Sequence, residues 1–188
     1  MRVVARRLTL EEDGIPGYVA HPEGGGPRPG VMMVHHAHGV TADYKIDAYQ
    51  LATLGFNVLV PSLFNMFGVP GTNHIGQGAD LPQVRAIVLY YPSVRDEPET
   101  SHRPRHAFAL ARTLRCASLV FCAGKDYIAT PAIQGPLWQS FTANGQLVEW
   151  HFFSDANHGF RHPDNDGYQP HYADLAWPLV TSFLERTV

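Results

Sequence analysis

A chain of 188 residues, 45% of them hydrophobic, is long enough for one domain with a real core and too short for two ordinary ones. The formal charge of −3 and the scattered Lys and Arg residues give no electrostatic reason to expect nucleic acid or an anionic membrane as partner. Cys116 and Cys122 form neither a C-x-x-C pair nor a small-domain disulfide framework, no apolar stretch approaches spanning length, and MRVVARRLTLEEDG turns to charge too early for a signal peptide. The expectation is a cytoplasmic, single-domain protein over 1–188.

In chain order, residues 7–11 and 18–20 flank Asp13-Gly14 and predict an antiparallel hairpin. GYVAHPEGGGPRPG is a loop, and residues 30–34 form a wholly apolar run, the pattern of a strand buried on both faces. Thr41 or Asp43 can cap a helix over 44–54 with Ala48, Leu51 and Ala52 on one face and Gly55 as its stop. FNVLVP (56–61) is the next buried strand, and RAIVLYYP (85–92) another. The basic, proline-containing SVRDEPETSHRPRH leads to a helix near 105–113, and SLVFCAG (118–124) is a fourth strand. Thr130-Pro131 opens a helix that Asn144-Gly145 closes, VEWHFF (148–153) is a fifth strand, and a last helix runs from about 171 to 185. Strands alternating with helices predict an α/β fold: a mostly parallel sheet with helices on both faces. Ligands in such sheets sit beyond the C-terminal strand ends. That places residues 36–39, Ser62, Ser93, GKD and ANHG (156–159) at the functional end.

Asp126 in GKDYIATP and His158 in ANHGF follow successive strands. An Asp so placed can accept the Nδ1 proton of the His, fix its tautomer and support the imidazolium. The order Asp-then-His is that of α/β-hydrolases. Read with PRPGVMMVHHAHGV, GFNVLVPSLF, VRAIVLYYPS, LVFCAGKDYIATP, FFSDANHGFRHP and AWPLVTSFLER, the chain resembles the dienelactone hydrolase family of α/β-hydrolases. The resemblance implies a small-molecule substrate and hydrolysis of a lactone or other carboxylic ester, with His158 as general base, Asp126 as its orienter, the Ala37 amide in the oxyanion hole, and no metal or organic cofactor. An acidic residue often stands in the family pattern where His36 stands here.

One departure from the family is large. Its nucleophile, a Cys or Ser on a G-x-C/S-x-G elbow, belongs between FNVLVP and RAIVLYY, where only residues 62–84 lie and no such motif occurs. Even one strand-to-strand crossover takes about a dozen residues. Either the chain is a shortened, rearranged member or an internal segment is omitted. Losing a central strand predicts marginal stability or a homodimer across the exposed edge. His74 in TNHIGQG reads as a loop residue, and Ser62 and Ser93 as turn chemistry. Cys116 lies on the far end of its strand and Cys122 reads as a buried hydrophobe.

His35, His36 and His38 fall in MVHHAHG. In an extended chain His36 and His38 point one way, toward the pocket, and His35 the other. A zinc site on His36 and His38 with His158 or Asp126 is the sharper alternative, but the spacing matches no known ligand pattern, and pocket histidines without metal are preferred. Arg161 is a candidate for a substrate carboxylate and equally a solvated loop arginine, with Tyr90, Tyr91 and Phe64 as weaker pocket candidates. Two further functional classes stay open: a nucleophile-free isomerase, cyclase or lyase using the same dyad, and a non-catalytic binding protein.

Overall fold

The computed structural model describes residues 1–36, 38–62, 84–94 and 106–188. They fall into two compact units, residues 1–73 and residues 74–188.

The first unit holds β1 (Val3–Leu8), α1 (Leu10–Asp13), β2 (Gly17–Pro22), β3 (Gly30–Met32), α2 (Ala42–Thr53) and β4 (Asn57–Pro61), in a sheet of order β1-β2-β4-β3. The hairpin is present, with Leu8 opposite Gly17. Its first strand stops at Leu8 rather than continuing to Glu11, because Thr9 accepts the Glu12 N–H and caps a helical turn that Gly14 ends at φ 70°. The parallel pair β3–β4 joins residues 30–32 to residues 57–59. Helix α2 buries Ala48, Leu51 and Ala52 against the face carrying Ala20, Val58 and Val60, all five strand and alanine positions at 0% exposure.

The second unit holds β5 (Ala86–Tyr90), α3 (Ala107–Thr113), β6 (Ala117–Ala123), α4 (Pro131–Thr142), β7 (Val148–Phe153) and α5 (Pro170–Thr187). Its sheet, β5-β6-β7, is wholly parallel. Val120 and Cys122 face α3 and α4, packing with Ala111, Leu114, Leu137 and Phe141. Leu119 and Phe121 alternate to the other face, beneath α5 with its buried Ala176, Val180 and Phe183. Helices on both faces of a parallel sheet make this the α/β fold expected.

Burial on both faces does not extend to every strand. Met32 in β3 is 63% exposed, and all five residues of β5 are only half-buried. Both strands stand at the edge of their sheets among the described residues, so each is covered on one flank only. No described helix is long and apolar enough to cross a membrane. The connection expected to lack the nucleophile, including Phe64 and His74, lies in residues 63–83, outside the described residues.

Candidate active site

Strand β6 delivers Asp126. Its last turn is tied to β7 by the Gly124 N–H on the Phe153 carbonyl and the Lys125 N–H on the Ala156 carbonyl, both 2.9 Å. Glycine is required at 124 because a Cβ there would collide with the Ser154 carbonyl. Asp126 is 4% exposed, and its Oδ1 accepts the N–H groups of Ile128 (2.8 Å) and Ala129 (2.7 Å), folding the next residues back over the carboxylate. Gln134, buried in the first turns of α4, braces that loop by donating Nε2 to the carbonyls of Ala123 (3.0 Å) and Ala129 (2.5 Å).

His158 follows β7. Its Nδ1 lies 3.0 Å from Asp126 Oδ1 and 2.9 Å from Oδ2. A carboxylate only accepts, so Nδ1 carries the proton and the neutral ring presents an unprotonated Nε2. The imidazole is 18% exposed while the Asp126 side chain is fully covered. Among the described residues nothing hydrogen-bonds Nε2. Burial pushes the Asp126 carboxyl up, but the hydrogen bonds from His158, Ile128 and Ala129 and the charge of His158 outweigh it and hold the group below the ordinary carboxylate value. The imidazole is therefore backed by an anion.

The loop carrying His158 is pinned at several points. Gly159 turns at φ 80° beneath the Asn165 side chain, and Asn165 Oδ1 accepts the Gly167 N–H at 2.8 Å. A Cβ on Gly167 would strike the His158 carbonyl. Gln169 accepts the Asn157 N–H (2.7 Å) and donates to the Asp155 carbonyl (3.1 Å). Sequence reading missed these supports and Gln134. The run HPDNDG signals a turn, but nothing in it shows which amide each side chain reaches.

Arg161 places its guanidinium over two rings, 5.3 Å from that of Trp177 and 6.0 Å from that of Tyr90, so it bridges α5 and the end of β5. Neither described cysteine is disulfide-bonded. Burial pushes the Cys122 thiol up to about 12 and raises Cys116 as well, so neither is a ready thiolate. Ser93 is half-buried after β5, and the Ser62 N–H donates to the Pro16 carbonyl at 2.8 Å.

In the first unit the three histidines have separate settings. His35 is 7% exposed, with Nδ1 donating to the His36 carbonyl at 2.8 Å. The His36 N–H donates to the Tyr44 hydroxyl (2.9 Å), and the His38 N–H donates to His36 Nδ1 (3.1 Å). The rings of His36 and His38 meet edge-on at 5.0 Å. Because His36 Nδ1 accepts, its neutral ring carries the proton on Nε2. Asp43, buried in the first turn of α2, accepts from the Thr41 hydroxyl. Ala37 lies outside the described residues.

The model of the dienelactone hydrolase family matches residues 15–79 and 71–188, two stretches that meet inside the connection where the elbow motif is missing. Among solved structures, the chain is similar to a Klebsiella pneumoniae protein assigned as a dienelactone hydrolase. The TM-score is 0.82 at 18% identity, covering 97% of this chain and 98% of that one. A dienelactone-hydrolase-like promiscuous phosphotriesterase from metagenomic libraries gives 0.72 at 17% identity, covering 100% and 99%. A carboxylesterase of Lactobacillus plantarum gives 0.63 at 14% identity, covering 99% and 98%. No curated protein sequence matches the chain. At these identities the likenesses speak for the fold, and the family model, which spans nearly the whole sequence, speaks for descent: the chain belongs to the dienelactone hydrolase family of the α/β-hydrolase superfamily.

Proposed function

We propose that this protein hydrolyses a lactone or other carboxylic ester, with His158 as general base and Asp126 as the carboxylate that orients it. The observation carrying this reading is the paired contact of His158 Nδ1 with both oxygens of a buried, anionic Asp126, which leaves Nε2 unprotonated and accessible. In the reaction Nε2 takes the proton of the attacking group, a water or a side-chain hydroxyl, as that group adds to the ester carbonyl. The imidazolium then returns the proton to the departing alkoxide. The family resemblance gives the Ala37 amide to the oxyanion hole, strand alternation turns His36 and His38 toward the substrate, and the planar guanidinium of Arg161 suits a substrate carboxylate; these assignments belong to the same proposal.

The test is hydrolysis of p-nitrophenyl acetate and of simple enol lactones by the wild-type protein and by His158→Ala. Turnover that disappears in a folded variant supports the reading, and wild-type turnover in His158→Ala overturns it. Intact-mass spectrometry during turnover then separates an acyl-enzyme from direct attack by water.

A further inference from the structure

The approach of Tyr91 to His158 is the feature of the second unit that the dyad alone leaves unused. Tyr91 is the one described non-glycine residue with positive φ, at 37°. It precedes Pro92, a position where the α regions are further disfavoured. Its N–H donates to the Phe121 carbonyl at 2.7 Å, so the ladder between β5 and β6 continues to this residue and the chain turns immediately afterwards.

The turn has a visible effect on direction. Consecutive side chains of a strand point to opposite faces. Yet the rings of Tyr90 and Tyr91 both meet Phe160, at 6.1 and 5.2 Å. The left-handed backbone brings the Tyr91 ring back to the side where Tyr90 already lies. There it is 7% exposed and its centroid stands 4.8 Å from the His158 ring, at 59°. A tyrosine that only filled the core would need no such backbone. Strained residues that persist do so because their surroundings over-determine them, and they concentrate at functional sites.

We propose that Tyr91 is a positioning residue for His158: its left-handed backbone turns the phenol ring against the imidazole, which Asp126 fixes at Nδ1 and Tyr91 walls along the ring. The direction of Nε2 is thereby held, and the imidazolium formed on proton uptake lies beside an aromatic π system that favours it. This inference rests on the reading of His158 as base, so its test includes a measurement that needs no turnover.

The Nδ1 proton shared with Asp126 gives a downfield NMR resonance whose sharpness reports how firmly the ring is held. Tyr91→Phe keeps the ring and should keep the resonance and kcat. Tyr91→Gly suits the backbone but removes the ring. It should broaden or lose the resonance and lower kcat about 10- to 100-fold, the range that a displacement of up to 1 Å costs, with KM little changed. Tyr91→Asn, which also tolerates positive φ, supplies the same reading if the glycine variant does not fold. A sharp resonance in a folded Tyr91→Gly or Tyr91→Asn protein overturns the proposal, as does a Tyr91→Phe protein as impaired as the glycine variant. If no ester is turned over at all, the reading of His158 as base fails by itself, and the resonance still decides whether Tyr91 holds the ring.

Discussion

Replacing Asp126 by Asn separates the chemistry of the dyad from its architecture. Both backbone amides that Asp126 receives, from Ile128 and Ala129, end on Oδ1, and His158 Nδ1 lies 3.0 Å from Oδ1 and 2.9 Å from Oδ2. An asparagine can keep Oδ1 in place and put its NH2 group where Oδ2 was. That group donates at the nearer of the two contacts, and a His158 Nδ1 that accepts from it carries the ring proton on Nε2 instead. The base then has no lone pair where the substrate arrives. In Ser-His-Asp triads this tautomer switch lowers kcat about 10⁴-fold, which at 1.36 kcal/mol per tenfold is about 5 kcal/mol of transition-state stabilisation. Stability should change less, because Oδ1 still accepts both amides and the bond to His158 is the one rearranged, roughly 1.5–3 kcal/mol. Asp126→Ala differs. It strands two N–H groups, one of them in a fully buried bond, at about 1–3 kcal/mol each. Ester hydrolysis and urea unfolding of the two variants give both quantities. Wild-type kcat in Asp126→Asn would refute the argument, and so would an Asn variant as unstable as the Ala variant.

Three further outcomes follow from the same geometry. The carboxyl of Asp126 is held low in the folded protein, so its contribution to stability is complete above the unfolded carboxylate value near 3.9 and is lost as pH falls through the folded one. The urea midpoint of the wild type should therefore converge on that of Asp126→Asn below about pH 4, and a gap constant to lower pH would count against the linkage. Cys116 and Cys122 should resist iodoacetamide in the native protein at pH 8 and react on unfolding, since burial raises both thiols. Fast native labelling with loss of activity would instead identify a cysteine nucleophile. Gly167→Ala should cost about 1–3 kcal/mol by overpacking and should lower kcat as well, because the added Cβ strikes the backbone of His158. Unchanged thermal unfolding and turnover would show that the loop yields.

Periodicity and punctuation made most elements legible. VEWHFF is β7 end to end, Thr130-Pro131 opens α4, and the helix expected near 105–113 is α3 at Ala107–Thr113. Apolar strands flanked by turn residues carry that information locally. What misled was the same signal read too far. GVMMV looks like a strand covered on both sides, but β3 pairs on one flank among the described residues and leaves Met32 exposed. Asp126 and His158 could be paired from their order after successive strands. The devices that hold them could not, because Gln134, Gly167 and Gln169 act across 5 to 14 residues of chain through backbone groups that any sequence possesses. The positive φ of Tyr91 is likewise invisible in YYP, where proline argues for extended backbone.

The hydrogen bonds of two histidines set opposite roles for the same atom. Asp126 accepts from His158 Nδ1, so the neutral ring's Nε2 is an acceptor. The His38 amide donates to His36 Nδ1, so His36 Nε2 carries hydrogen and donates. The family pattern often has an acidic residue at the His36 position, where an ionised carboxylate accepts hydrogen bonds and repels negative charge. A neutral imidazole held as His36 is carries its proton on Nε2 instead. For His36 to accept at Nε2, its proton would have to move to Nδ1 and the bond from the His38 amide would be lost. What HHAHG spells as three equivalent residues becomes one buried donor to a carbonyl, one half-buried Nε2 donor, and one exposed ring whose amide fixes its neighbour's tautomer.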